Sequence, residues 1–421
     1  MTDPAGPLTF QYGTEIDGLR VVHQPPPPGS ASFSATYVGP AGWGFDPSGS
    51  EGVARLVNQL VTSAAGRFDR VALARHLDRL GATLSRQAAP ESGEVTVWGP
   101  AAEWERLLGI LSDAVLRPRF DPSDIARARR QARERQLREQ TQPASRAVVE
   151  LLRAIFPKGH PYRESGLGNP RSLGRIDRHD MLRFHRTHYS SGGALLVITG
   201  AARLGTVERV ARRWFRGFDS RSGPVLAVPP VGRPATRERT IDLPGRSQVE
   251  VRLGGVSIPR SHPEYPAAFL ANEILGGRAM LSRLFQRVRE QGGLAYHASS
   301  ELEAMRYGGH WTAQAGTGPD RWRKVVTMLR EEVERLTKTT LPASDLRLIR
   351  ESAIGQIPLA LESTSDAHEL AVEAAYHGLP EDYWLKWPAQ LRAVGPEDLR
   401  HAASVALDAR TAVTVLAGPV R

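Results

Sequence analysis

Like phrases recur along this chain at a near-constant spacing, and that spacing limits the architecture before any single residue is weighed. Phe120-Asp-Pro-Ser-Asp-Ile125 returns as Leu341-Pro-Ala-Ser-Asp-Leu346, with Asp124 and Asp345 standing 221 positions apart. Gly159-His-Pro-Tyr162 is matched by Pro380-Glu-Asp-Tyr383, again 221 positions on at the tyrosine. Arg178-His-Asp-Met-Leu-Arg183 pairs with Pro396-Glu-Asp-Leu-Arg-His401, and Ala194-Leu-Leu-Val-Ile-Thr-Gly200 with Ala412-Val-Thr-Val-Leu-Ala-Gly418. Asp180 to Asp398 and Gly200 to Gly418 are both 218 positions. Four blocks of different character at one offset imply a duplicated unit. With 421 residues in all, each copy is long enough to bury its own core.

Within each copy strands come first and helices follow. Leu19–His23 and Ala35–Gly39 read as strands, as does Gln248–Arg252 in the second copy. Val53, Leu56, Val57, Leu60 and Val61 repeat at helical period after Gly52. Thr83-Leu-Ser-Arg86 and Glu94-Val-Thr-Val-Trp98 alternate as strands do. Long amphipathic helices are expected over 101–119, 122–141 and 143–155, the last two opened by Pro122-Ser123 and Pro143 with Ser145. A further helix ends near His188 and a buried strand covers 195–199. Strands and helices mix without strict alternation, so the fold class is α+β: two homologous αβ domains in tandem, each a mostly antiparallel sheet packed with helices. The Pro-, Gly- and Ser-rich stretch 219–236 reads as a linker between domains 1–218 and 237–421.

Composition then removes function classes. There is no cysteine, hence no disulfide scaffold, thiolate metal site or cysteine nucleophile. No run of about 18 apolar residues is present, which argues against a membrane span. The acidic, polar start of the chain lacks a basic region followed by an apolar one, so the expected location is the cytoplasm. The formal net charge is +10, and the densest basic run, Ile125–Glu139, reads either as a nucleic-acid patch or as a solvated helix face with interleaved acids. No aromatics interleave with it, and the second reading is preferred; no nucleic-acid partner is expected. His185 and His188, three apart on a helix, have no acidic residue at ligand spacing and read as surface or capping histidines.

Several phrases resemble one known family in its order. They are Gly39-Pro-Ala-Gly-Trp43, Ile155-Phe-Pro-Lys-Gly-His-Pro-Tyr162 and Ser282-Arg-Leu-Phe-Gln-Arg-Val-Arg-Glu-Gln-Gly-Gly-Leu-Ala-Tyr296. Over nearly the whole chain the sequence is similar to the insulinase-like (pitrilysin-type) zinc peptidases, which include the mitochondrial processing peptidase. The resemblance implies two αβ halves that form half of a clam-shell chamber around an unfolded peptide. It also implies a zinc motif, His-x-x-Glu-His, with a glutamate ligand roughly 75 residues later. Two imidazoles at i and i+4 share a helix face, and the glutamate takes a proton from the metal-bound water. Those three positions here are Arg55, Asn58 and Gln59, and the third ligand falls on Glu134 or equally on Arg135. A guanidinium repels a divalent cation and an asparagine cannot act as a base, so no zinc is expected in this chain.

The family's substrate-binding arginine and tyrosine, seven residues apart in the C-terminal half, fall on Arg289 and Tyr296. Both are able to donate to a peptide carbonyl and stabilise a developing oxyanion; the rival reading is an arginine at a helix end and a tyrosine opening a strand. The stretch around Gly276, Gly277 and Arg278 resembles the glycine-rich substrate loop of the non-catalytic processing-peptidase (alpha) subunit, or else is a helix C-cap and turn. The resemblance thus implies a non-catalytic subunit of a heterodimer. Its partner is a homologous chain carrying His-x-x-Glu-His and the zinc, and its substrate is an unfolded or leader peptide. An inactive scaffold of the same fold, or a stand-alone peptide-binding module, are the other readings.

Overall fold

A computed structural model describes residues 6–218 and 223–420; the first residues of the expected linker, 219–222, lie outside the described residues. The chain opens on β1 (Gln11–Ile16) and β2 (Leu19–Gln24), followed by β3 (Ser32–Gly39), β4 (Thr83–Ala88), β5 (Gly93–Pro100) and β6 (Leu195–Thr199). These form one sheet in the order β1-β2-β6-β3-β5-β4. The second sheet is built from β7 (Glu238–Asp242), β8 (Val249–Ser257), β9 (Ala295–Met305), β10 (Gly308–Thr317) and β11 (Val413–Gly418), in the order β7-β11-β8-β10-β9. With β1 set aside, the two orders are the same. In each sheet the first strand runs parallel to the last, as β2 does to β6 and β7 to β11. Every other pairing is antiparallel. The repeat read from four sequence blocks is therefore a repeat of topology, and both sheets are mixed with one parallel pair.

Local chemistry accounts for the strands. β3 is buried on both faces from Phe33 to Gly39, as a central strand should be, while β5 alternates between buried and more open positions. β1 turns into β2 through Asp17 and Gly18, at φ of 50° and 87°. That is a two-residue Asp-Gly hairpin whose left-handed positions suit the strand twist. β1 was not read from the sequence, because it pairs only at the sheet edge and leaves most of its side chains open.

The chain divides into two compact units, each discontinuous in sequence. The first comprises residues 1–136, 165–227 and 357–385, and the second comprises 137–164, 228–356 and 386–421. Each unit thus takes one helical segment from the other half of the sequence. Helix Pro143–Ile155 places Ala147, Leu151 and Ile155 in a core with Val413, Val415 and Ala417 of β11. Helix Thr364–Tyr376, 221 positions further on, packs against β3 and β6 of the first unit. Its Ala367, Ala371 and Ala374 are fully buried, small enough to bring the helix close to the sheet. Its His368 is held between two hydroxyls, Thr36 Oγ1 at 2.7 Å and Thr199 Oγ1 at 2.8 Å. Burial pushes that imidazole down to about 3, which keeps it neutral. No described helix is long and apolar enough to cross a membrane.

Candidate functional site

The helix Val53–Val61 carries Arg55, Asn58 and Gln59, the positions on which the resemblance places the zinc motif, and eight of its nine residues are buried. Its first turn is held by Asp46, whose carboxylate accepts from the Gly52 and Ala54 amides at 2.6 and 2.9 Å. Burial raises that carboxyl to about 7. Before the helix, Gly42 passes under the Ala89 and Pro90 carbonyls so closely that a Cβ would lie 2.4 Å from an oxygen. That close approach seats Trp43.

Each motif residue is tied into the protein. The Arg55 guanidinium lies 4.1 Å over the Trp43 ring and donates through Nε to the Ser165 carbonyl at 2.8 Å. Asn58, 3% exposed, directs Nδ2 at the carbonyls of Gln87 (3.0 Å) and Glu94 (3.2 Å) and at the Tyr189 hydroxyl (3.3 Å). It therefore joins the helix to β4 and β5. Gln59 donates to Gln131 and accepts from Arg135 Nη2 at 2.6 Å. Glu134 is exposed on the same helix, Pro122–Thr141. Of the two candidates for the third position, Arg135 is the one that reaches the motif helix. A guanidinium and two amides whose donors are committed to protein acceptors do not fit zinc. Among the described residues, no group of three or more His, Asp or Glu side chains is placed to hold a metal ion.

Two sequence expectations need correction or refinement here. His185 and His188 are not surface histidines: both are buried, and they bond to the carbonyls of Val115 (2.8 Å) and Pro40 (3.0 Å). Burial lowers His185 to about 4, consistent with a neutral ring that packs the helix Arg178–His188 into the core. The basic run is partly a packing face. Arg129 donates to the Leu173 and Gly174 carbonyls at 3.0 and 2.6 Å, and Arg127 pairs with buried Asp124 at 2.8 Å.

In the second unit, Arg289 and Tyr296 flank a turn. A π-helical segment, Phe285–Gln291, ends at Gly292 and Gly293, the latter at φ 56°, and β9 begins at Ala295. Arg289 is exposed, with its guanidinium 4.7 Å over the Phe285 ring. Tyr296 is 74% exposed. It lines a cavity of about 410 Å³ with Ser247, Gln248, Leu294, Asp320 and Arg321. Arg289 is not among the residues lining it. Among the described residues neither side chain hydrogen-bonds to the protein, so both sets of donors are open to a ligand. The segment itself is clamped: Arg287 pairs with buried Glu332, which Arg335 also approaches at 3.6 Å and Arg283 at 3.9 Å.

The glycine-rich stretch is packed. Gly276 lies in a π-helical turn, Glu273–Gly277, against β9, where a Cβ would lie 2.1 Å from the Ser300 amide nitrogen. A Cβ on Gly277 would meet the Glu273 carboxylate at 2.5 Å. Arg278 is held by Ser352 Oγ at 2.8 Å and Glu273 at 3.4 Å. Gly276→Ala is therefore expected to cost about 2 kcal/mol through overpacking against strand backbone. A denaturation midpoint unchanged by Gly276→Ala would show that β9 yields freely there.

Sequence reading missed Arg86, whose Nη1 donates to Thr62 at 2.9 Å from β4. It also missed Trp43 as the platform for Arg55 and Tyr189 as a partner of Asn58. None lies at motif spacing: Arg86 comes in on β4, Trp43 on the turn before the motif helix, and Tyr189 at the end of the helix Arg178–His188.

Comparison with known proteins adds the following. The family model described as insulinase (peptidase family M16) matches residues 20–170, and the one described as peptidase M16 inactive domain matches 175–352. An uncharacterized zinc protease of Mycobacterium tuberculosis is 24% identical over 365 residues, covering 86% of this chain and 83% of that protein. The mitochondrial-processing peptidase subunit beta of Caenorhabditis elegans is 23% identical over 270 residues, 64% of this chain and 56% of that one. A crystal structure of a peptidase M16 inactive domain from Pseudomonas fluorescens superposes with a TM-score of 0.92 at 22% identity, covering 98% of both chains. A protease from Helicobacter pylori gives 0.87 at 17% identity, covering 97% of this chain and 99% of its own.

Proposed function

The chain belongs to the insulinase, or M16, family of peptidases, and from that premise we propose that it is the non-catalytic, substrate-binding subunit of a heterodimeric zinc metallopeptidase. One contrast carries the reading. At the motif helix, Arg55, Asn58 and Gln59 are engaged by the protein itself, whereas Arg289 and Tyr296 stand exposed with no hydrogen bond to the protein among the described residues. A chain arranged in this way lacks a metal-activated water and offers two donors to a carbonyl. The partner in this proposal is a homologous subunit with His-x-x-Glu-His, which supplies zinc and the general base. The substrate is an unfolded peptide or a leader peptide, bound extended along a sheet edge by main-chain hydrogen bonds. β4 and β9 are the terminal strands next to β5 and β10, and each leaves one edge for an added strand.

The test begins with the chain alone. Elemental analysis of purified protein is expected to find well under one zinc per chain, with no chelator-sensitive cleavage of an unstructured peptide. Adding a homologous chain that carries the intact motif should restore cleavage. One tightly held zinc per isolated chain, with activity lost on chelation, would overturn the proposal.

A further inference from the structure

We propose that Thr317 is a positioning residue for Tyr296, acting through a β-bulge that turns the phenol away from the buried face of its sheet. The inference rests on the substrate-binding reading of Tyr296 above and adds the residue on which its aim depends. It starts from the register of β9 and β10. Gly316 stands opposite His297, but the next residue, Thr317, stands opposite Ala295. β9 thus carries one residue more than its partner here, and the extra one is Tyr296.

The bulge decides where the phenol goes. Successive side chains of a strand alternate between faces, so an unbroken β9 would set Tyr296 on the face of Ala298 and Ser300. Those two are 5% and 3% exposed, whereas Tyr296 is 74% exposed and borders the cavity of about 410 Å³. An inserted residue bends its strand and re-aims a side chain. It also interrupts the ladder, so the backbone around it needs other partners.

Those partners come from two directions. The Gly293 and Leu294 amides donate to the carbonyls of Arg289 and Val288, at 3.0 and 3.1 Å, in the π-helical segment Phe285–Gln291. From the other side, the Thr317 hydroxyl donates to the Leu294 carbonyl at 2.5 Å, and Arg321 Nη1 to the Gly293 carbonyl at 3.1 Å. Residues 293 and 294 are therefore held through all four of their backbone polar groups. The grip joins the segment bearing Arg289 to the strand bearing Tyr296. Of the two side-chain anchors, Arg321 lines the cavity itself. Thr317 is 0% exposed, and its branched side chain is stiff about χ1, which fixes the direction of the hydroxyl. A group so buried does not touch substrate, and its effect on cleavage passes through Tyr296.

Thr317→Val keeps the branched shape and removes the hydroxyl; Thr317→Ser keeps the hydroxyl. In the complex reconstituted with the zinc-bearing partner, assayed well below each denaturation midpoint, Thr317→Val should lower kcat between about tenfold and 10²-fold, with KM within about twofold, as a misplaced group does. Thr317→Ser should recover most of that loss. In a Tyr296→Phe background Thr317→Val should cost less than about threefold, because the hydroxyl it would misplace is already gone. A general weakening of the fold would cost the same in both backgrounds. In the isolated chain, hydrogen exchange over residues 293–297 should rise in Thr317→Val and stay near wild type in Thr317→Ser. Wild-type kcat in Thr317→Val, a loss as large in the Tyr296→Phe background, or unchanged exchange over 293–297 would each overturn the inference and leave the role of Tyr296 standing. If the wild-type complex does not cleave, the heterodimer reading falls and the positioning role with it.

Discussion

Tyr296→Phe, in a complex reconstituted with the zinc-bearing partner, is expected to lower kcat on the order of 10²–10³, roughly 3–4 kcal/mol of transition-state stabilisation, with a much smaller change in KM. The size follows from what the hydroxyl does in the proposed role. A phenol aimed at the scissile carbonyl strengthens its hydrogen bond as the oxygen gains charge, so its loss is felt in the transition state more than in the bound substrate. The structure also makes the variant a clean one. Tyr296 is 74% exposed and makes no hydrogen bond to the protein among the described residues, so removing its oxygen leaves no buried partner unsatisfied. Folding and subunit association should match the wild type. Arg289→Ala should cost turnover in the same direction, since among the described residues its guanidinium rests on the Phe285 ring and makes no hydrogen bond. If both variants cleave peptide at the wild-type rate, the pair is structural and the chain's contribution lies elsewhere.

The sequence was most readable where a local rule and a global need agreed. The helices Pro122–Thr141 and Pro143–Ile155 begin and end where their prolines and apolar stripes place them, and the strand Leu195–Thr199 coincides with its apolar run. The duplication was readable because whole phrases keep their spacing, and the matched strand orders are its consequence in space. What periodicity cannot convey is the identity of the surface a stripe meets. Ala147, Leu151 and Ile155 announce a buried face without saying that β11, more than 250 positions away, receives it. The same holds for Ala367 and Ala371 on β3 and β6.

The candidate site divides along the same line. Arg55, Asn58 and Gln59 are singled out because the zinc motif that the resemblance implies has fixed spacing on one helix. The choice between Glu134 and Arg135 was not decidable by counting, because it turns on which face of a second helix looks at the first. Arg86 was invisible for the corresponding reason: a strand residue joins this cluster only through the β4–β5 pairing. The glycines at 276 and 277 were legible as glycines but not as close-approach positions. The reason for Gly276, the amide of Ser300, lies on a strand that follows in sequence and folds back.

Glu332→Ala is expected to destabilise the chain by about 3 kcal/mol, the lower part of the range for removing one partner of a buried ion pair. Glu332 is 0% exposed and sits in the helix Trp322–Lys338, facing Arg287 with Arg335 and Arg283 nearby. The lower end applies because the arginines, unlike the carboxylate, keep contact with solvent and can rehydrate when it is lost. Glu332→Gln preserves the volume and one acceptor, so it should fall between wild type and alanine in a denaturation series at fixed ionic strength. The loss should also be local. Arg287 belongs to the π-helical segment Phe285–Gln291 that carries Arg289, and that segment has few other polar anchors, with Val288 as its buried apolar one. Hydrogen exchange over residues 285–291 should therefore rise more in Glu332→Ala than exchange in β8 or β11, whose pairing does not depend on the clamp. Turnover in the reconstituted complex should then fall through a displaced Arg289, with Glu332 acting as a positioning residue that touches no substrate. A wild-type midpoint together with unchanged exchange over 285–291 would mean that the three arginines find other partners and that the turn before Tyr296 is held without the clamp.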